Sequence, residues 1–516
     1  ALFSSPLPIL KKLSPKNRKK DMAGGMVMKS KKSVQKYAVL KGKKVEISPL
    51  TGKPKIVRQD RGREEAAAAA KMSKETWLKY QTEEYKKAWP KPDYMNEPRE
   101  MVYVRDGGDG AYRQATYEIV TRWTSKTRIE YRPHAKAPGS KSHIRYEKYA
   151  KAKTVGEALK LGSYPIDWCF DYEHGFIRVL GGEIRDEPID ISKVADPENM
   201  DIVDKKIYKW FRRELCRRCG LKPDDLKMEA AWNETLWQRA HRLLANRYAQ
   251  EILDQAAKSR KPIHQDQVLK VMKAWAFGRN FGRTNVMPDG KEWVWSDTVG
   301  LLRDRTGDIH VTGASKRYPA VVQMLNGWLR CILPAEILSF PWTSINLNCN
   351  YAARRHRDGN NFGASLIAAL GGFTGGGLAV WPEDDKSVHL NKLPKGKEIE
   401  IDISQNLAMF NGNSAHEVKS FDGERFSIVF FCVGCHAKAP SAVKDELVEL
   451  GFQVPPVTEK ADRLLRRPQG YGSKKEADKK SLRIWSLKTL HKQAKAYKKD
   501  VKKVLKPMKK CFTWVD

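Results

Sequence analysis

The chain has 516 residues, and its 96 Lys and Arg against 61 Asp and Glu give a formal net charge of +35. Apolar residues make up 41%, which argues against disorder along the whole chain, and the length predicts two or three domains with tails. No apolar run reaches 18 residues, so we expect no membrane span, and eight cysteines are too few for a disulfide scaffold. A charge this positive favours a polyanionic partner, DNA or RNA.

Residues 1–63 are rich in lysine clusters separated by Gly, Pro and Ser, which predicts a basic extended arm that does not order itself. Residues 1–20 contain no acid and are compatible with the remnant of an organelle transit peptide. The cysteine content favours a reducing intracellular compartment. The choice between an organelle (mitochondrion or plastid) and the nucleus stays open.

Residues 64–98 are predicted as a helix, because Glu64 and five alanines precede an aromatic stripe that Pro90 ends. Residues 99–200 are predicted as a small mixed α/β basic module, in which MVYVRD, ATYEIVTRW and TRIEYRP have strand character. Thr154 and Glu157 have the spacing of a capping box that opens a helix.

Within this module, arginines and lysines alternate with Trp123, Tyr131, Tyr146 and Tyr149. Cations that meet phosphates and aromatics that stack on bases are typical of single-strand or RNA contact. The alternative is an ordinary solvated face whose aromatic side chains turn inward. The candidate nucleic-acid-binding residues here are Arg122, Arg128, Arg132, Lys141, Arg145 and Lys148.

Residues 201–339 are predicted as a helical region that packs on the β-rich segment following it. The first helix is expected to end at Gly220, a plausible C-cap, and later helices cover about 231–260 and 320–333. Two CxxC pairs, Cys216/Cys219 and Cys432/Cys435, would allow a zinc site across 212 residues. Zinc is not favoured, because the first pair lies in an amphipathic helix, where cysteines at this spacing usually join the core.

Residues 340–436 contain several short β-rich segments separated by Gly, Pro, Asn and Asp, which predicts an antiparallel sandwich or jelly roll. We interpret the glycines of Gly371–Gly377 as a tight turn between strands, because no Gly-Lys-Ser/Thr follows them as a phosphate loop requires. Residues 437–516 are predicted as a basic helical extension. The tail adds Lys498, Lys499, Lys502 and Lys503 to the candidate nucleic-acid-binding residues.

The chemistry of the β-rich segment centres on His356-Arg357-Asp358, followed by His416 and Arg425. Two histidines and one carboxylate occupy one face of Fe(II) and leave three positions open for substrates. The planar guanidinium of Arg425 suits two-point binding of a carboxylate in a semi-buried site.

The segment NCNYAARRHRDGNNFGASLIAALGGFTGGGLAVWPEDD, with LAMFNGNSAHEVKSFDGERFSIVFF after it, resembles the Fe(II)/2-oxoglutarate dioxygenases. It is more similar to the branch of nucleobase oxygenases that contains the ten-eleven-translocation and J-binding proteins (TET/JBP). The likeness covers about residues 341–435. It implies a double-stranded β-helix (jelly-roll) domain. Together with the segments described above, the predicted fold class is α+β, with this domain preceded by a helical and mixed region and with basic extensions at both ends.

The resemblance also implies roles. His356, Asp358 and His416 would bind Fe(II), and Arg425 would bind the distal carboxylate of 2-oxoglutarate, so that the protein hydroxylates a nucleic-acid base or an associated protein. The alternative function is a structural RNA-binding subunit of a large ribonucleoprotein, such as an organellar ribosome, that has co-opted an oxygenase fold. The two charged ends of the chain favour this alternative, and the two functions are compatible.

Overall fold

The structure is a computed structural model that describes residues 37–40, 43–47, 54–55, 74–96, 112–189, 199–229, 234–465, 467–471 and 482–496. The chain divides into two compact units, residues 1–71 and residues 72–516. In the first unit, a three-stranded antiparallel sheet is formed by β1 (Tyr37–Leu40), β2 (Lys43–Ile47) and β3 (Pro54–Lys55). These strands lie within residues 1–63, which were predicted as a basic extended arm, and the rest of that segment lies outside the described residues.

The second unit mixes helices with antiparallel sheets, which agrees with the predicted α+β class. Its described α-helices are α1 (Lys74–Lys79), α2 (Glu83–Ala88), α3 (Gln114–Val120), α4 (Lys141–Tyr149), α5 (Val155–Lys160), α6 (Pro165–Glu173), α7 (Ile202–Cys219), α8 (Leu236–Ser259), α9 (Gln265–Ala274), α10 (Gly313–Arg317), α11 (Pro319–Ile332), α12 (Ser441–Glu449) and α13 (Leu487–Ala496). Its described strands are β4 (Trp123–Tyr131), β5 (Ile177–Ile184), β6 (Arg279–Asn280), β7 (Val294–Arg303), β8 (Ile309–Val311), β9 (Ser344–Cys349), β10 (Asn361–Gly375), β11 (Leu378–Val380), β12 (Ile399–Ile401), β13 (Asn406–Phe410), β14 (His416–Val418), β15 (Phe421–Val433) and β16 (Arg483–Ser486). Among the described helices, none combines the length and the apolar character needed to cross a membrane.

The helix predicted over residues 64–98 is interrupted in its described part. α1 ends at Lys79, and a new helix begins after Thr82, whose hydroxyl accepts a hydrogen bond from the Tyr85 amide. The Gln81 side chain between the two helices donates to the His134 carbonyl. Capping and this tertiary contact therefore divide a segment whose composition favours one helix.

The small module confirms some local predictions and overturns one. Thr154 caps α5 as predicted, accepting a hydrogen bond from the Glu157 amide. The segment ATYEIVTRW was predicted as a strand, but most of it is α3, which buries Tyr117 and Val120 in an aromatic cluster. β-branched and aromatic residues favour strands only weakly, and tertiary packing here overrides that preference. MVYVRD lies outside the described residues.

The region 201–339 contains the three predicted helices, now α7, α8 and α11, and Gly220 caps α7 in the left-handed conformation (φ 60°). It is not purely helical, however. Residues 295–300 of β7 pair with β9, and β6 and β8 also pair with β7. The prediction missed these strands because the long helices on either side dominated the hydrophobic pattern.

The β-rich segment forms two antiparallel sheets. The larger sheet has the order β16-β13-β10-β15-β9-β7-β6, with β8 also paired to β7, and the smaller sheet has the order β12-β11-β14. The faces of β10 alternate: Leu366 and Ala368 pack on the helical side, while Ile367 and Ala369 join a cluster with residues of the smaller sheet. This period-two pattern places one face of the large sheet on α8, α9 and α11 and turns the other toward the smaller sheet.

Two further sequence predictions need correction. Gly371–Gly375 lie within β10, and the turn is confined to Gly376 and Gly377 before β11. In the C-terminal extension, Ile484 and Trp485 belong to β16, which pairs with β13 as an edge strand, and only the following α13 is helical. The backbone groups of Ile484 and Trp485 find hydrogen-bond partners in β13, whereas in a helix they would bond within the helix itself. Lys498, Lys499, Lys502 and Lys503 lie outside the described residues.

Candidate functional site

The three predicted metal ligands lie together. His356 and Asp358 are in the loop between β9 and β10, and His416 opens β14. The backbones of the two histidines exchange hydrogen bonds of 2.9 and 3.0 Å, which brings their ring centroids to 4.1 Å. One potential ligand atom from each of His356, Asp358 and His416 lies within 4.8 Å of the others, and no other such group of three or more occurs in the described part of the chain.

Both imidazoles are oriented by a carbonyl two residues earlier. Nδ1 of His356 lies 2.8 Å from the Arg354 carbonyl, and Nδ1 of His416 lies 2.9 Å from the Ser414 carbonyl. Because a carbonyl oxygen can only accept, each Nδ1 carries a proton, and in a neutral ring of this tautomer Nε2 has the lone pair. Burial, reinforced by His416, lowers the pKa of His356 to about 3, so this ring is neutral near pH 7.

The carboxylate of Asp358 is also held in place. The backbone amide of Asp358 donates to the Gly412 carbonyl (2.9 Å), and the side-chain amide of Asn361 donates to Oδ2 of Asp358 (2.8 Å). Oδ1 then lies 3.6 Å from Nε2 of His356. One carboxylate oxygen and two imidazole lone pairs converge, which is a donor set that fits Fe(II) with open coordination positions.

Arg425 is a buried cation in the same site. It lies on β15 opposite Gly371 of β10 and is 1% exposed. Burial lowers its pKa to about 10, so the guanidinium remains charged near pH 7. Its Nε and Nη2 atoms have no hydrogen-bond partner among the described residues. A charge buried without a partner is costly, and an anion bound at this position would offset that cost.

Gly376 makes room for Arg425. A Cβ atom at Gly376 would lie 2.9 Å from Nε of Arg425, and the backbone there has φ +68°. The rings of Phe373 and Phe421 lie 5.6 and 5.4 Å from the guanidinium carbon. The aromatic contacts and the missing side chain at Gly376 together hold Arg425 in a defined position.

One cavity of about 240 Å³ joins these groups. The triad and Arg425 line it, together with Arg283, Tyr351 and a layer of Asn, Ser and Thr side chains. Apolar walls are supplied by Ile367, Leu378, Phe410, Val418 and Val429. The cavity therefore brings the candidate metal ligands, a buried cation and several apolar side chains to one volume.

Several residues that shape this site were not predicted from the sequence. Arg283, in the β6–β7 segment, was not considered, because it precedes the resembling segment. Asp384 was not singled out, although its carboxylate accepts the Ala415 amide (2.7 Å) next to His416. Asn361 and Tyr351 were part of the resemblance without an assigned function. An Asn three residues after a candidate ligand carboxylate was the available signal for Asn361.

The candidate nucleic-acid-binding residues of the small module do not form a base-stacking surface. Trp123, Tyr131, Tyr146 and Tyr149 are buried in its core. Arg132 is also buried and donates to the Tyr80 carbonyl, so it was wrongly taken as a surface contact. The aromatic side chains turn inward, which was the alternative interpretation of this stretch.

The other cations of the module differ in exposure. Arg122 is half-buried and donates to the Arg185 carbonyl, while Arg128 is exposed. Lys141, Arg145 and Lys148 lie on the exposed face of α4, where Arg145 pairs with Asp167. These exposed side chains form a cationic stripe, and its contact with a polyanion stays a prediction.

The cysteines of the two CxxC pairs are partly or fully buried. Burial raises the pKa of Cys219 and of Cys432 to about 12, which disfavours the thiolate form that zinc requires. Cys216 and Cys219 lie on α7, and Cys219 belongs to the core behind the large sheet.

Comparison with known proteins gives no family assignment. No protein-family model matches the chain, and no curated protein matches it. Solved structures that are similar to it include a prolyl hydroxylase from Trichoplax adhaerens in complex with a hypoxia-inducible-factor oxygen-degradation-domain peptide fragment. That likeness has 13% identity and a TM-score of 0.21, and it covers 42% of this chain and 97% of the other.

A 2OG-Fe(II) oxygenase family oxidoreductase from Burkholderia pseudomallei is similar at 14% identity and a TM-score of 0.18, covering 36% of this chain and 88% of the other. At TM-scores this low we infer nothing about the chain from either likeness.

Proposed function

We propose that the protein is an Fe(II)- and 2-oxoglutarate-dependent dioxygenase that hydroxylates its substrate. The observation that carries the proposal is the shared cavity, in which a His-Asp-His set faces the same volume as a buried guanidinium without a carboxylate partner among the described residues. A metal site alone would also fit a hydrolase or a structural ion. The buried guanidinium of Arg425 distinguishes these cases, because it favours binding of an anionic cosubstrate in the same cavity.

In this proposal His356, Asp358 and His416 hold Fe(II) through the two Nε2 atoms and one carboxylate oxygen. Arg425 binds the distal carboxylate of 2-oxoglutarate, with the Tyr351 hydroxyl lining the same cavity. Fe(II) with 2-oxoglutarate and O₂ supplies the oxidising chemistry that hydroxylates a C–H bond. Ile367, Leu378 and Val429 form an apolar part of the cavity wall beside the reacting groups.

The two sheets support a jelly-roll assignment within this proposal. The large and small antiparallel sheets meet through the cluster that contains Ile367, Leu378 and Phe410, and these three residues also line the cavity. The ligands come from the β9–β10 loop and from β14 of the smaller sheet. A site between two facing sheets is the arrangement expected of a double-stranded β-helix oxygenase.

The test is an anaerobic Fe(II) titration of the full chain, followed by measurement of 2-oxoglutarate binding. We expect one Fe(II) per chain in the wild type, loss of stoichiometric binding in His356→Ala, and unchanged binding in the exposed control His389→Ala. Arg425→Gln should keep Fe(II) binding and lose 2-oxoglutarate binding. Absence of stoichiometric Fe(II) binding by the wild type would refute the proposal.

The net charge of +35 supports a narrower proposal, that the enzyme acts on or beside nucleic acid, as the TET/JBP-type resemblance suggests. Lys141, Arg145 and Lys148 lie on the exposed face of α4, and in this proposal that face contacts phosphate. Binding of single-stranded RNA and DNA at several salt concentrations tests it. Weaker binding at higher salt is expected, and no binding at low salt would contradict the proposal.

A further inference from the structure

The cavity contains a second guanidinium, that of Arg283. This residue lies in the segment between β6 and β7 and lines the same volume as the metal-ligand set and Arg425. Its Nη1 atom donates to Oδ1 of Asn346 (2.6 Å), with Oγ of Ser296 at 3.4 Å and Oδ1 of Asn348 at 3.5 Å. All three acceptors are neutral. Within the described ranges, no carboxylate pairs with Arg283.

The acceptors of Arg283 are themselves fixed in a buried polar layer. The Asn346 amide nitrogen lies near Ser296 Oγ (3.2 Å) and Thr298 Oγ1 (3.1 Å), so its oxygen is presented to the arginine. The Asn348 nitrogen likewise donates to Ser427 Oγ (3.2 Å). This layer runs across β7, β9 and β15 on the face that lines the cavity.

The layer determines which guanidinium atoms stay available. Each hydrogen bond that Arg283 makes to described residues uses Nη1, so Nε and Nη2 remain to bind a ligand. The Asn and Ser partners fix the orientation of the fork without neutralising its charge. A fixed and uncompensated guanidinium is suited to two-point binding of a carboxylate or phosphate.

The charges in the cavity indicate which molecule would supply the carboxylate or phosphate that Arg283 binds. A divalent metal, Arg283 and Arg425 bring four positive charges, and Asp358 is the one carboxylate among the lining residues, so three remain. Under the proposed function 2-oxoglutarate contributes two negative charges, one at Arg425 and one at the metal. One positive charge, that of Arg283, is left without a partner after the cosubstrate has bound.

We propose that Arg283 binds an anionic group, a carboxylate or a phosphate, on the molecule that is hydroxylated. This inference rests on the proposed function and narrows the substrate to molecules with an anionic group close to the oxidised carbon. The cavity of about 240 Å³ is smaller than common ligand pockets of roughly 300–1,000 Å³. Only the reactive end of the substrate therefore enters beside 2-oxoglutarate, and the anionic group enters with it.

The experiment uses the full chain loaded with Mn(II), which replaces Fe(II) without oxidation chemistry, and saturated with 2-oxoglutarate. Inorganic phosphate is then titrated and followed by ³¹P relaxation, and acetate is titrated separately and followed by ¹³C relaxation. Paramagnetic relaxation detects only anions close to Mn(II), so binding elsewhere on this basic protein does not contribute. The two probes distinguish a phosphate-bearing substrate from a carboxylate-bearing one.

We expect saturable relaxation of at least one probe in the wild type. Arg283→Gln should weaken the affinity for that anion by about 10-fold or more, since a hydrogen bond to a charged group is lost. Arg283→Lys should retain part of the affinity for the anion, because the positive charge is kept. The exposed control Arg305→Gln should behave as the wild type, and Arg283→Gln should still bind 2-oxoglutarate with wild-type affinity.

Three outcomes overturn the inference. The first is that neither probe shows enhanced relaxation in the loaded wild type. The second is that relaxation is the same in Arg283→Gln as in the wild type. The third is that Arg283→Gln loses 2-oxoglutarate binding as Arg425→Gln does. In the last case Arg283 is a cosubstrate residue. A wild type that does not take up Mn(II) or 2-oxoglutarate overturns the proposed function as well, and the loading step shows this before any anion is added.

Discussion

The Arg357 guanidinium and the Asp384 carboxylate form a two-point ion pair, with Nε and Nη2 each 2.7 Å from a carboxylate oxygen. Arg357 lies between the two ligands His356 and Asp358 in sequence. Asp384, which is fully buried, also accepts the Ala415 amide next to His416. This one pair therefore connects the two chain segments that supply the candidate metal ligands.

Asp384→Ala should destabilise the protein and weaken metal binding together. The variant leaves the Ala415 amide without its side-chain acceptor and leaves Arg357 with the Val388 carbonyl. Breaking a buried ion pair from one side costs about 3–5 kcal/mol, and we expect the lower end of this range because the Arg357 side chain is 19% exposed. Loss of such a supporting contact typically lowers metal affinity about 10–100-fold. Urea unfolding and Mn(II) titration measure the two effects. The exposed neighbour Asp385→Ala is the control, and equal effects in both variants would contradict the assignment.

Gly412→Ala should weaken metal binding by displacing Asp358. A Cβ atom at Gly412 would lie 2.9 Å from Asp358 Oδ2 and 2.7 Å from the Asn361 amide nitrogen, so both must shift. We expect Mn(II) affinity to fall by about 10-fold, as for other losses of ligand support. Gly359→Ala, where a Cβ atom meets nothing within 4 Å, should leave it unchanged. Wild-type affinity in Gly412→Ala would show that Asp358 does not bind the metal in this position.

Arg425→Met should separate stability from cosubstrate binding. Without ligand, the variant should be at least as stable as the wild type, with a gain of about 1–3 kcal/mol, because a buried guanidinium with unpaired nitrogens is removed. At 100 times its Kd, 2-oxoglutarate should stabilise the Mn(II)-loaded wild type by about 2.7 kcal/mol and Arg425→Met not at all. Thermal unfolding with and without 2-oxoglutarate checks both. A destabilised ligand-free variant would mean that Arg425 has a structural role.

His241 should make the protein sensitive to mild acid. Burial lowers the pKa of His241 from 6.5 to about 3 in the fold, so the unfolded chain binds more protons between these values. Stability therefore falls as the pH decreases through this window, by about 2–3 kcal/mol from this residue between pH 6.5 and 4.5. The wild type should lose that much more than His241→Gln in urea unfolding at the two pH values. The exposed control His389→Gln should match the wild type, and parallel curves for His241→Gln would contradict the prediction.

The three candidate metal ligands and Arg425 could be predicted because the motifs that contain them are short and continuous in the sequence. His356 and Asp358 are two residues apart, and the strands around His416 and Arg425 have a clear period-two pattern. The antiparallel strands from β9 to β15 could also be predicted, because the same period-two pattern marks them in the sequence. The strand predicted at residues 115–123 failed because the composition of α3 favours a strand, whereas burial of Tyr117 and Val120 favours a helix.

What the sequence by itself determined is the set of donor groups, the α+β composition and the uneven charge. The tertiary structure alone decided which distant groups meet, because a backbone that pairs β7 with β9 brings Arg283 next to Asn346, 63 residues later. It also decided that Trp123 and Tyr146 are core residues, since alternation of cations and aromatics fits an ordinary solvated face with buried aromatics as well as a nucleic-acid surface. Periodicity indicates that a side chain shares a face with its neighbours, but only packing determines what that face contacts.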